Sequence, residues 1–186
     1  MPTENERKFV LDIASYVEKD FLKHSDSIRH IRQGYLFFSK GASLRVRETI
    51  EEEKSGVKHE ICIKQRAGSR VIEIEKKLDN RDFHDLWDIS LNRLEKIRYN
   101  CVWKGQLWEV DFFKNHEQQN YFAMAEHEMP EGQISPDFIP ARIKEHLIFE
   151  VPLDDDRFSS KRIACVNHAK KLYESLIRER PAYEAC

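Results

Sequence analysis

The stretch ENERKF, residues 4–9, sets three ionisable side chains two apart: Glu4, Glu6 and Lys8 alternate with Asn5, Arg7 and Phe9. On a strand, alternate side chains share a face. One face would then carry Glu4, Glu6 and Lys8, and the other would end in Phe9. A single charged face needs only solvent to explain it, so the fold turns on whether other strands repeat the pattern. They do. In SLRVRET (43–49), Arg45 and Arg47 oppose Leu44 and Val46. In EICIKQ (60–65), Glu60 and Lys64 flank Cys62, with Ile61 and Ile63 opposite. In VIEIEKK (71–77), Glu73, Glu75 and Lys77 oppose Ile72, Ile74 and Lys76. In EKIRYNC (95–101), Lys96 and Arg98 oppose Ile97, Tyr99 and Cys101. Glu109 and Asp111 oppose Trp108, Val110 and Phe112, and Glu126 and Glu128 oppose Ala125 and His127.

The rest of the chain bounds what such strands can build. At 186 residues and 40% hydrophobic composition, a single domain spanning 1–186 with a real core is expected. A net charge of −2 with 34% charged residues gives no global attraction to nucleic acid or to a membrane, so any anion site must be built locally. The opening MPTENERKF lacks the apolar core of a signal peptide, and no apolar run is long enough for a bilayer. A cytoplasmic protein is therefore expected, with Cys62, Cys101, Cys165 and Cys186 as reduced thiols. The eight histidines lack zinc-ligand spacing.

Helical spacing marks VLDIASYVEKDFLKH, with Ile13, Val17 and Phe21 on one stripe and Asp12 as cap. NRDFHDLWDIS, capped by Asn80, predicts a second helix. SSKRIACVNHAKKLYESLIRER predicts one long helix, capped by Ser159 or Ser160, with Ile163, Val166, Ala169, Tyr173 and Leu176 inward and Pro181 as its stop. Turns are expected at Lys40-Gly41 and Lys104-Gly105, and EEEKSG (51–56) reads as a hairpin tip.

An open antiparallel sheet with one wet face would show the same alternation. Two features favour another arrangement: the charged faces are almost purely Arg, Lys and Glu, and eight strands leave edges that closure would remove. The expected fold is therefore α+β: an eight-stranded antiparallel closed barrel, a tunnel with an ionic interior and helices packed outside. Buried charges cost several kcal/mol each, on the order of the penalties measured for unpaired ions, unless a wet lumen holds a charged ligand. Guanidinium forks match phosphate oxygens, and paired carboxylates match Mg²⁺ or Mn²⁺. Both sets together point to a polyphosphate with a divalent metal.

The ordered set ENERKF, QGYLFFSKGASLRVRE, ICIKQ, IEIE, LEKIRYNCVWKGQLWEVDFF, AMAEHEMP and FEVPLDDDRF covers nearly the whole chain. It resembles the CYTH superfamily, the triphosphate tunnel metalloenzymes. ENERKF is similar to the family's E-x-E-x-K signature, and ERKF with QGYL resembles its microbial inorganic triphosphatase branch. The resemblance implies an eight-stranded tunnel that hydrolyses a triphosphate, most readily inorganic tripolyphosphate to pyrophosphate and phosphate, using Mg²⁺ or Mn²⁺. Lys8, Arg45, Arg47, Lys64 and Arg98 would grip the triphosphate, with Lys96 on the same face one pleat along. Glu4, Glu6, Glu126 and Glu128 would hold metal, with Glu73, Glu75, Glu109 and Asp111 as further candidates. Glu126 or Glu128 would orient water, with Lys8 beside the reacting group. The partner is a small-molecule triphosphate; nucleic acid and membrane are not expected, and a homodimer is compatible with the pattern.

The chain departs from the family in places. Val71 stands where the family often has Arg, with Arg70 one place off, so that a bulge would be needed to bring Arg70 onto the face. Glu150-Val151-Pro152 replaces the family's E-V-T. The same site could also serve a class IV adenylyl cyclase, a thiamine or nucleoside triphosphatase, or a non-catalytic polyphosphate-binding tunnel. Trp87, Trp103 and Trp108 would be the stacking surfaces for an organic tail.

Overall fold

The computed structural model describes residues 5–68, 70–153 and 155–179. Among these residues nine strands form one antiparallel sheet: β1 Glu6–Leu11, β2 Ser27–Ser39, β3 Ala42–Glu51, β4 Val57–Ala67, β5 Arg70–Lys77, β6 Asn92–Trp103, β7 Gln106–Lys114, β8 Asn120–Glu128 and β9 Leu147–Glu150. Their order is β5-β4-β3-β2-β6-β7-β8-β1-β9. Five α-helices of the described residues accompany them: α1 Ser15–His24, α2 Asn80–Asp88, α3 Ala141–Glu145, α4 Ser160–Ile163 and α5 Val166–Glu179.

The turns form where glycine and the hairpin rule demand. Lys104 and Gly105 both have positive φ, 52° and 76°, as a two-residue turn matched to strand twist requires. β3 ends at Glu51 and β4 begins at Val57, so EEEKSG is the tip joining them.

The expected closed barrel is not formed. The sheet is open between its two edges, β5 and β9. The reason lies in β9, a strand that residue patterning did not suggest. Its backbone occupies the free edge of β1, with Phe9 opposite Glu150 and Val10 opposite Phe149, so β1 has no edge left for β5. The sheet nevertheless curls around its ionic face. Lys8 on β1 exerts its charge on the Tyr35 hydroxyl on β2, although the two strands stand four places apart in the sheet. On a flat sheet that separation is roughly 19 Å.

The convex face carries two cores. Phe9, Trp108, Val110 and Phe112 pack against Val17 and Phe21 of α1 and Ile143 of α3. Burying an aromatic of this size contributes about 1.5–3 kcal/mol. Phe83 and Trp87 of α2 cover Val46. Gly34 permits that contact, since a Cβ there would lie 2.3 Å from Ser90 Oγ. The α2 cap is Asp79, whose side chain accepts from the Asp82 N–H, rather than Asn80. α1 begins at Ser15, because Val10 and Leu11 belong to β1; Asp12 instead accepts from the Ala14 N–H.

The C-terminal segment departs from expectation twice. It is two helices, broken at Ala164 and Cys165. It also lies on the concave side, not outside. Phe122, Met124 and Val10 share register parity with Glu126 and Lys8, and they pack with Phe158, Ile163, Ala169, Leu172 and Leu176. One end of the curled face is thus apolar and roofed by α4 and α5. Pro181 lies outside the described residues.

Candidate active site

The ionic residues occupy the rest of the concave face, in two banks. The first bank is built by β1, β8, β7 and β6. Lys8 stands opposite Glu126, and Glu6 opposite Glu128. Lys8 Nζ lies 2.8 Å from Glu6 Oε1 and 3.1 Å from Glu126 Oε1. Burial alone would lower the Lys8 pKa, but the charges of Glu126 and Glu6 reverse this and hold it well above the ordinary lysine range. Arg98 donates through Nε and Nη2 to the two oxygens of Asp111, each at 2.7 Å, and through Nη2 to Glu126 Oε2 at 3.2 Å. Its Nη1 donates to Glu109, and Lys96 donates to Asp111.

Asp111 is fully buried. Burial would raise its pKa, yet Arg98 and Lys96 hold it below the usual carboxylate range. Glu126 is likewise held low, by Lys8 and Arg98 against burial and Asp111. Lys96 is pushed down to about 8, first by burial and then by the charge of Arg98, against the pull of Asp111. At the end of this bank Glu6, Glu109, Glu126 and Glu128 line one cavity of about 470 Å³, with His127 and Met129 on its wall.

The second bank is built by β2, β3, β4 and β5. Arg45 stands opposite Tyr35 on one side and Cys62 on the other; Arg47 stands between Gln33 and Glu60. The ion pairs of Arg45 here are long. Arg45 Nη2 lies 3.6 Å from a carboxylate oxygen of Glu73 and 3.6 Å from one of Glu75. Among the described residues its buried Nε has no hydrogen-bond partner. Lys64 Nζ is 3.9 Å from Glu73 Oε2. Arg47 is pushed down to about 10, by burial and then by Arg45 and Arg98. Cys62 Sγ donates to Glu73 at 3.2 Å, and burial raises the thiol to about 11. Cys62, Glu73 and Glu75 each offer an atom within 4.8 Å of the others, with Arg45 already between the two carboxylates.

The described residues thus bring Lys8, Arg45, Arg47, Lys64, Lys96, Arg98, Glu6, Glu73, Glu75, Glu109, Asp111, Glu126 and Glu128 onto one face. Glu4 lies outside the described residues. The β4–β5 ladder runs from Ala67–Arg70 to Glu60–Lys77 without a register shift, so no bulge carries Arg70 onto the parity of Glu73; Val71 holds that position. Trp108 is buried beside Phe9 on the convex side, Trp87 lies beneath Arg32, and Trp103 packs against the convex core.

Pattern reading missed two residues of this face. Gln33 and Tyr35 are buried and paired in register with Arg47 and Arg45. In the sequence they sit between Ile31 and Phe37, so the run reads as an ordinary apolar strand. Only the partner strand reveals that its inward phase meets two arginines.

No family model matches the chain. An inorganic triphosphatase from Acetivibrio thermocellus is 28% identical over 134 residues, covering 66% of this chain and 81% of its own. Among solved structures, the hypothetical protein NE1496 is 28% identical, superposes with a TM-score of 0.57, and covers 87% of this chain and 97% of its own. The PH1012 protein of Pyrococcus horikoshii shares the fold at 16% identity, with a TM-score of 0.51 over 71% of this chain and 81% of its own. Together with the register of the ionic strands, these likenesses bear out the resemblance of the chain to the CYTH superfamily and to its microbial inorganic triphosphatases.

Proposed function

We propose that the chain is a metal-dependent triphosphatase that hydrolyses inorganic tripolyphosphate to pyrophosphate and phosphate. The observation that carries this reading is the asymmetry of the concave face. One bank offers a cavity lined by four carboxylates, and the adjoining bank offers Arg45, 3.6 Å from oxygens of Glu73 and Glu75, and Arg47, held by the neutral amide of Gln33. A polyanion with a hard cation satisfies both at once. The name of the Acetivibrio relative supports the same chemistry.

The donor set of the cavity fits Mg²⁺ or Mn²⁺, since its charged donors are all carboxylate oxygens. Glu6, Glu109, Glu126 and Glu128 would hold the ion, with Glu4 completing the E-x-E pair; Asp111 is already committed to Arg98 and Lys96. When bound, the ion supplies charge neutralisation and Lewis acidity at phosphate oxygens. Glu73 and Glu75 are the remaining acidic candidates.

The chain's own residues do the rest. Arg45, Arg47 and Lys64 receive the phosphate chain through charge-assisted bonds, Arg45 exchanging its long ion pairs for short ones. Lys8 and Arg98, fixed by Glu126 and Asp111, present charge where negative charge accumulates on the transferred phosphoryl group. Lys96 reinforces Arg98 through Asp111. Water attacks the terminal phosphorus, the bridging P–O bond breaks towards pyrophosphate, and the water proton passes to an acceptor. Glu128, exposed at the end of β8, is freer than Glu126 to orient that water.

The test is phosphate release from tripolyphosphate with Mg²⁺ and with Mn²⁺. Turnover with either, abolished by chelation, is expected; no release with both metals refutes the reading. Assaying ATP for cyclic AMP in parallel separates it from a cyclase.

A further inference from the structure

One side chain of the second bank has a role that the phosphate-gripping set does not cover. Gln33 is completely buried, on the concave parity of β2. Its Oε1 accepts from Arg47 Nε at 3.0 Å, and its Nε2 donates to Tyr35 Oη at 2.5 Å. The orientation of this amide is not free. A guanidinium Nε only donates, so Arg47 requires the oxygen, and the amide nitrogen must face Tyr35. The Tyr35 oxygen therefore accepts from Gln33, with the charge of Arg45 close by. A phenol has two lone pairs and one hydrogen. Because the oxygen already accepts from Gln33, Tyr35 donates its own hydrogen elsewhere, towards the lumen.

We propose that Gln33 is a positioning residue, whose carboxamide anchors Arg47 on one side and polarises the Tyr35 hydroxyl on the other, so that both present donors to the phosphate chain. This rests on the triphosphatase reading, which it deepens. Gln33 touches neither substrate nor metal; it acts through its two neighbours.

Two near-isosteric variants separate its two tasks. Gln33→Glu keeps an oxygen for Arg47 but removes the donor to Tyr35, whose hydrogen then turns away from the lumen towards the carboxylate. Gln33→Met removes both contacts. Steady-state kinetics with sodium tripolyphosphate and Mg²⁺ should show Gln33→Glu with KM near that of the parent and kcat down about 10-fold or more. Gln33→Met should lower kcat by about 100-fold, the scale of a small misplacement of a reacting group, and should also raise KM. Melting temperatures report the fold of each variant. Parent-like kcat in Gln33→Glu overturns the proposal, as does a parallel loss of kcat and KM in both variants that tracks the melting temperature. Should the parent fail to turn over tripolyphosphate, the function reading falls by itself. Calorimetry with tripolyphosphate then decides on Gln33: binding weakened in Gln33→Met and kept in Gln33→Glu supports the Arg47 anchor, and equal binding in all three overturns it.

Discussion

The two banks of the concave face carry the same residue types in opposite states. On β1, β6, β7 and β8, cations and carboxylates are locked together: Lys8 lies 2.8 Å from Glu6, and Arg98 meets Asp111 at 2.7 Å. On β3, β4 and β5, Arg45 stands 3.6 Å from Glu73 and from Glu75, and Arg47 Nε donates to the neutral amide of Gln33. Charges placed by strand alternation alone would not sort this way. For the Lys96–Asp111–Arg98 cluster the difference follows from depth. The locked bank is deep, with Asp111 fully buried and Lys96 nearly so, and an unpaired ion there would cost several kcal/mol, roughly the effective penalty per buried ion. The loose bank ends at β5, where Glu73 and Glu75 are partly open to water. Solvent tolerates incomplete pairing there, which leaves the arginines available to an incoming anion.

Breaking the locked bank should have the largest effect. Asp111→Asn strands Lys96 and weakens Arg98, and should destabilise the fold by about 3–5 kcal/mol, measured by urea unfolding. A loss under 1 kcal/mol would mean that the buried cations find other partners. Breaking the loose bank should instead cost activity with the fold kept. Arg45→Ala or Arg47→Ala should lower kcat/KM on tripolyphosphate by about 100- to 1,000-fold, the scale of losing one preorganised donor, with an unchanged far-ultraviolet spectrum. Comparable unfolding in both sets would erase the distinction.

Acid sharpens it further. The folded-state pKa values of Glu126 and Asp111 are lowered, so their stabilisation is fully present above the unfolded values, about 4. It is lost as pH falls through the lower folded values. Stability of the parent should therefore decline steeply below about pH 4, and Glu126→Gln should flatten that decline in pH-dependent unfolding. The smallest effect is expected at the rim. Glu75→Gln alters a half-exposed pair at 3.6 Å and should change stability by less than about 1 kcal/mol.

How much of this was readable beforehand varies by element. The alternation in SLRVRET, EICIKQ, EKIRYNC and WEVDF placed Arg45, Arg47, Glu60, Lys64, Lys96, Arg98, Glu109 and Asp111 on the shared face that register now displays, with Glu48 and Glu95 on the other. Period-2 patterning is a local property of the strand, and burial of one face enforces it. Gln33 and Tyr35 escaped because a neutral polar residue beside aromatics carries no such signature. β9 escaped because LIFE is only four residues long, too short for alternation to stand out.

The amino-acid order by itself determined which side chains share a face, where the hairpins turn, and that both cations and carboxylates would face one another. These follow from φ/ψ preferences and the two-residue repeat, which act between near neighbours in the chain. Only the tertiary structure decided that the sheet stays open, that α4 and α5 roof one end of the concave face, and which ions pair tightly. Those outcomes depend on β9 reaching β1 across some 140 residues of chain, as in the Phe9–Glu150 pairing, and on burial depth. Neither is a property of any local segment, since edge competition and desolvation exist only once distant strands have met.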